Sequence, residues 1–195
     1  MTCAAHVQAV GQGFPGQLGI FSDDHLEGLT RLATAIKSQD SIAVVQLHHA
    51  GMRSPEELIG EKPHCPSDNE EFGARALSTA EVDQLIEDFV AGAERAEKAG
   101  FDGVELHGAH GYILCQFLSP GVNQRDDKYG GALENRGRPL FDIIDGIRAR
   151  CGGDFHLGVL RAPAGFDLKW NEVLGGAERL EREDKCDSLG ILLWK

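Results

Sequence analysis

After Ser78, apolar residues recur at helical spacing, at Val82, Leu85, Ile86, Phe89, Val90 and Ala93, until Gly100 breaks the run. Ser78-Thr79-Ala80-Glu81 places a capping box ahead of them, so a helix is expected from Ser78 to about Gly100. The next residues, Phe101 to Leu106, read as a short strand. The same order precedes this unit: an amphipathic stretch from about Asp23 to Lys37 (Leu26, Leu29, Ala33, Ile36) leads into the β-rich run Ile42 to Leu47. It follows again, with a helix between Arg138 and Arg150 before a strand over Phe155 to Leu160. A fourth helix over about Asn171 to Glu183 leads into Asp187 to Leu193.

Helices alternating with strands in this way imply parallel pairing through crossovers, hence an α/β sheet or barrel. Periodicity does not choose between the two. The loops Ala50 to Leu77 and Gly108 to Leu133 add a direction, because both are long and both follow the carboxyl end of a strand. In an α/β barrel that is the face that carries chemistry.

The 195 residues suit one domain, and 31 acidic against 19 basic side chains give a net charge of −12. That charge repels phosphate backbones and anionic lipid, so neither nucleic acid nor membrane is an expected partner. No apolar run approaches the roughly 18 residues of a membrane span, and the start, MTCAAHVQAV, has no basic segment ahead of an apolar one. The five cysteines are scattered with no Cys-x-x-Cys pair, which fits a reducing cytoplasm.

Candidate chemistry gathers at His107-Gly108-Ala109-His110-Gly111-Tyr112, where a strand is expected to end. Imidazole N–H groups can donate to a carbonyl oxygen on which negative charge develops, and a phenol can deliver a proton. A polar turn whose histidines only satisfy the backbone is the plainer alternative. A metal site using His107, His110 and His49 is a third, since imidazole is a common ligand. Of the adjacent pair His48-His49, at most one easily faces a site, because neighbours on a strand point to opposite faces. His64-Cys65, among prolines, is expected on a loop surface. Arg125 to Gly131 can be read as a phosphate loop, although without a Gly-rich fingerprint a structural turn is the better expectation.

Three strings sharpen the picture: Val45-Gln46-Leu47-His48-His49-Ala50-Gly51, Gly103-Val104-Glu105-Leu106-His107-Gly108-Ala109-His110-Gly111-Tyr112, and Gln116-Phe117-Leu118-Ser119-Pro120 continuing through Asn123 to Arg136. Together they resemble signature segments of the Old Yellow Enzyme family, and the resemblance extends loosely from about Ala4 to Leu193. It implies a (β/α)₈ TIM barrel, FMN at the carboxyl face, NADH or NADPH as reductant, and hydride delivery from the flavin to an activated alkene such as an enone. By that resemblance Gln46 would hydrogen-bond the flavin pyrimidine ring and Ala4 would pack beside the flavin. His107 and His110 would bind the substrate carbonyl, and Tyr112 would be the proton donor.

Two departures accompany the resemblance. Where the family reads Gly-Val-Arg-Leu or similar, this chain reads Gly158-Val159-Leu160-Arg161, so Arg161 would point away from the flavin unless a bulge restores it. Gly137 and Pro139 also fall near the start of the next helix, whose first turn alone tolerates proline. A complete barrel needs about 250 residues; the chain is therefore expected to be a single partial-barrel domain over 1–195, roughly strands two to six, truncated at both ends and without the main FMN phosphate anchor. The rival expectation is a catalytically inactive partial barrel that associates with another chain, its own copy included.

Overall fold

The computed structural model describes residues 1–161 and 188–191. In chain order its elements are β1 (Ala4–His6), α1 (Leu26–Lys37), β2 (Val44–His48), α2 (Glu56–Ile59), β3 (His64–Cys65), β4 (Arg75–Ala76), α3 (Thr79–Lys98), β5 (Gly103–Gly108), α4 (Ile113–Leu118), α5 (Leu133–Arg150), β6 (His156–Arg161) and β7 (Ser188–Ile191). Strands β1, β2, β5, β6 and β7 form one sheet in that order, every pair parallel. Sequential order with parallel pairing is what helical crossovers produce, and it is the arrangement of a barrel sector. The helix expected over 171–183 lies outside the described residues.

The pleat divides the sheet chemically. Ala5, Leu47, Leu106 and Val159 share one register row and are fully buried, packed in a single core with Leu85, Phe89, Ile143 and Ile144 of α3 and α5. Each such leucine contributes about 2 kcal/mol by leaving water. The alternate row, Ala4, Gln46, Glu105 and Gly158, lies on the opposite face with His48 and His107 one step further along. One face is thus spent on stability and the other carries polar groups.

Helix α3 begins as its sequence predicts. Ser78 Oγ accepts from the Glu81 N–H at 3.2 Å, and the Glu81 carboxylate accepts from the Ser78 N–H at 2.7 Å. Arg75, 2.8 Å from Glu81, holds that carboxyl down at about 2. Among the described residues no helix is long and apolar enough to cross a membrane.

Two expectations change. Helix α5 starts at Leu133 rather than Arg138, which puts Pro139 inside the helix instead of in its first turn. Packing compensates for the hydrogen bond that proline cannot donate: Pro139 is buried, and the Arg136 guanidinium donates to the carbonyls of Leu118 (2.9 Å) and Gly131 (2.5 Å). His64 and Cys65 are not on a loop surface; they form β3, paired with β4, and both are buried. The segment of Arg125 is the structural turn expected, and Arg125 does not face outward for a phosphate. Its guanidinium bonds Asp127, the Pro66 carbonyl and the Leu77 carbonyl, and Thr79 also donates to Asp127 at 2.6 Å. These bonds tie the two long loops to each other and to the start of α3.

Candidate functional site

The polar cluster predicted at the end of β5 forms, but β5 runs two residues further than expected, through His107 to Gly108. His107 is therefore a strand residue, held by pairing with Leu160 on β6 rather than by a flexible turn. The chain then turns through two successive left-handed residues, His110 (φ 56) and Gly111 (φ 71). Histidine is one of the few non-glycine residues found there with any frequency. The turn folds the His110 ring back onto His107, with centroids 5.1 Å apart and planes at 80°. Arg53 donates to the His110 carbonyl at 3.0 Å, which holds the turn from outside.

Tyr112 follows at the N-cap of α4, its ring edge-on to His107 (4.9 Å) and to His48 (4.4 Å). The Arg53 guanidinium lies 5.7 Å above the Tyr112 ring. Three of the predicted residues, His107, His110 and Tyr112, thus meet in one place, and His48 joins them.

Hydrogen bonds fix the tautomers. The Ala109 N–H points at His107 Nδ1 (3.4 Å), which leaves Nε2 carrying the hydrogen, 3.3 Å from His110 Nδ1. Gln17 Nε2 donates to both His48 Nδ1 and the Ala4 carbonyl, each at 3.0 Å, while its Oε1 accepts from the Gly13 N–H at 2.6 Å. His48 therefore also carries its hydrogen on Nε2. Burial disfavours the charged form of both rings, pushing His48 down to about 3 and His107 to about 4. Both are neutral donors at ordinary pH.

His49 goes elsewhere, as strand alternation requires. Its Nδ1 accepts from the Gly51 N–H (2.9 Å), and its Nε2 pairs with Gln8 (3.1 Å), which in turn donates to Asp88 on α3 (2.6 Å). It does not join His107 and His110, and among the described residues no group of three or more potential ligands is arranged for a metal.

One step down the sheet, Gln46 and Glu105 are register partners joined by a hydrogen bond from Gln46 Nε2 to Glu105 Oε1 at 2.6 Å. Ala4 on one side of the pair and Gly158 on the other leave room on that face. Strand β6 continues in register without a bulge: Leu160 pairs His107 and stands on the site face, whereas Arg161 pairs Gly108, one position out of that row.

Sequence reasoning missed Gln17, Arg53, Glu105 and Gln116. Gln116, fully buried on α4, accepts from the Met52 N–H (3.2 Å) and donates to the carbonyls of Ala50 (3.2 Å) and Gly111 (2.7 Å). Gly51 (φ 64) lies so near that a Cβ would strike the Gln116 amide. Replacing Gln116 by leucine should cost about 3 kcal/mol, near 1 kcal/mol for each partner left unpaired in the interior, readable as a lower urea midpoint.

A parallel α/β barrel sector with a histidine–histidine–tyrosine cluster at its carboxyl face defines the class of α/β-barrel proteins, which place their chemistry at that face. Within that class, the chain belongs to the NADH:flavin oxidoreductase / NADH oxidase family, whose model matches residues 1–171. It is 43% identical over 152 residues to a probable NADH-dependent flavin oxidoreductase of Bacillus subtilis, covering 76% of this chain and 41% of that protein. It is 42% identical over 148 residues to an NADPH dehydrogenase of Geobacillus sp., covering 74% of this chain and 43% of that one. The old yellow enzyme homologue from Zymomonas mobilis superposes with a TM-score of 0.86 at 30% identity, over 96% of this chain and 58% of that structure. The chain thus spans about two fifths of the length of these curated relatives, and the fold is a partial TIM barrel.

Proposed function

We propose that this chain carries the substrate-activating part of an FMN-dependent NAD(P)H oxidoreductase that reduces activated alkenes such as enones. The observation that carries this reading is the pair of imidazoles, His107 and His110, meeting Tyr112 above an amide-bearing strand row. The residues suit a flavin. Gln46 keeps its Oε1 and second amide hydrogen without a partner among the described residues, complementary to the alternating donors and acceptors of the pyrimidine edge, and Ala4 and Gly158 keep the row shallow. When bound, FMN supplies the hydride, which it has taken from NADH or NADPH.

The protein side of the reaction follows from the tautomers. His107 Nε2–H, which faces His110 Nδ1 in the resting site, donates instead to the substrate carbonyl oxygen, and His110 joins it from the other side. Two donors on that oxygen draw electron density from the conjugated double bond and stabilise the enolate charge that develops. Because burial keeps the His107 imidazole neutral, it polarises the oxygen without protonating it. Tyr112 delivers the proton to the α-carbon. Among the described residues Cys3, Cys65, Cys115 and Cys151 form no disulfide, which suits a cytoplasmic setting.

The test is a visible absorption spectrum after incubation with FMN and gel filtration. Flavin absorbance co-eluting with the protein is expected. Absence of retained flavin at high FMN concentration would overturn the reading and favour a non-catalytic barrel sector that works by associating with another chain.

A further inference from the structure

We infer that Glu105 is a positioning residue for flavin recognition, setting which end of the Gln46 amide faces the cofactor. The inference rests on the function proposed above and adds a residue to it.

A carboxamide can turn either end toward a neighbour, and the two ends are opposite in hydrogen-bonding sense. A carboxylate accepts only. With Glu105 Oε1 2.6 Å from Gln46 Nε2, the amide NH₂ is committed to the β5 side of the row. Gln46 Oε1 is then turned away from Glu105, an acceptor with no partner among the described residues. The flavin pyrimidine edge offers one donor, the N3–H, between two carbonyl acceptors. An amide with its oxygen free and one N–H left over can accept from N3–H and donate to an adjacent carbonyl. Turned the other way, its oxygen would face the carboxylate, which is repulsive.

The register makes the device rigid. Gln46 and Glu105 are direct partners on central strands of the sheet, and both belong to the face opposite the buried row of Ala5, Leu47, Leu106 and Val159. Neither side chain can slip past the other without a one-residue register shift, which would drive apolar groups out of the core. Among the described residues the Glu105 side chain pairs with Gln46 and with no residue of the histidine–tyrosine cluster.

The experiment uses the full chain, with Glu105→Leu and Glu105→Gln beside the parent protein. Two readings are taken: FMN affinity by fluorescence titration, and the N3–H proton of ¹⁵N-labelled FMN by proton–nitrogen correlation. The parent is expected to bind FMN with its N3–H shifted downfield and protected from exchange. Glu105→Leu should bind about tenfold more weakly, the effect of one lost hydrogen bond, with the N3–H signal moved upfield or exchanged away. Glu105→Gln, which keeps shape and permits either amide orientation, should fall between them, and it decides the matter if the leucine variant fails to fold. An N3–H signal unchanged in the variants overturns the role of Glu105 while leaving the oxidoreductase reading intact. A parent protein that binds no FMN overturns both.

Discussion

Replacing Tyr112 by phenylalanine should slow alkene reduction by about 10²- to 10⁴-fold, the usual range for a lost general acid, while flavin reduction by NADH or NADPH changes little. The reason is geometric. Phenylalanine keeps the edge-on packing against His48 and His107 and the surface beneath Arg53, and removes only the hydroxyl. Stopped-flow measurement of the two half-reactions separates the steps. Equal loss in both would show that Tyr112 shapes the flavin environment instead of supplying a proton.

The second large effect is on stability. Between pH 6.5 and 4.5 the protein should lose about 2 to 3 kcal/mol for each of His48 and His107, at 1.4 kcal/mol per pKa unit. Both imidazoles have an ordinary value of 6.5, which burial lowers to about 3 and about 4. In this window the unfolded chain therefore binds more protons than the folded one, so stability falls as pH falls. His49, fully buried and held well below its ordinary value by that burial, acts in the same direction. Carboxylates contribute lower down, since Glu81 and Asp127 start from 4.5 and 3.8. Urea midpoints between pH 7.5 and 4.5 measure the slope, and His48→Phe should make it shallower. A flat profile would mean that these rings reach water.

Much of the fold was legible because burial follows periodicity. The apolar spacing after Ser78 and the alternation in β2 and β5 report directly which face meets the core, and the capping box located the start of α3. The start of α5 was not legible. Local preference argues against Pro139 in a helix interior, and only the tertiary bonds of Arg136 to Leu118 and Gly131 reveal why the helix persists. His64-Cys65 failed for a related reason: prolines mark a turn without saying whether the turn is covered.

At the site, the cluster of His107, His110 and Tyr112 could be read from one short string because the three residues are close in sequence. For the pair His48-His49 the string says only that one of them can face a site; which one, and the relevance of Glu105, depend on register between strands 59 positions apart. The pairing of Gln46 with Glu105 follows once that register is known. Nothing in the string around Gln116 marks its amide as a junction; a buried glutamine is indistinguishable from an exposed one until its partners are placed.

That junction limits how the site can diversify. The turn after β2 and the turn after β5 converge on one side chain, which bonds Ala50 and Met52 in the first and Gly111 in the second. A change of length in either turn displaces the other, so the two behave as one heritable module, and grafting a substrate-facing loop from a relative would require moving both turns and Gln116 together.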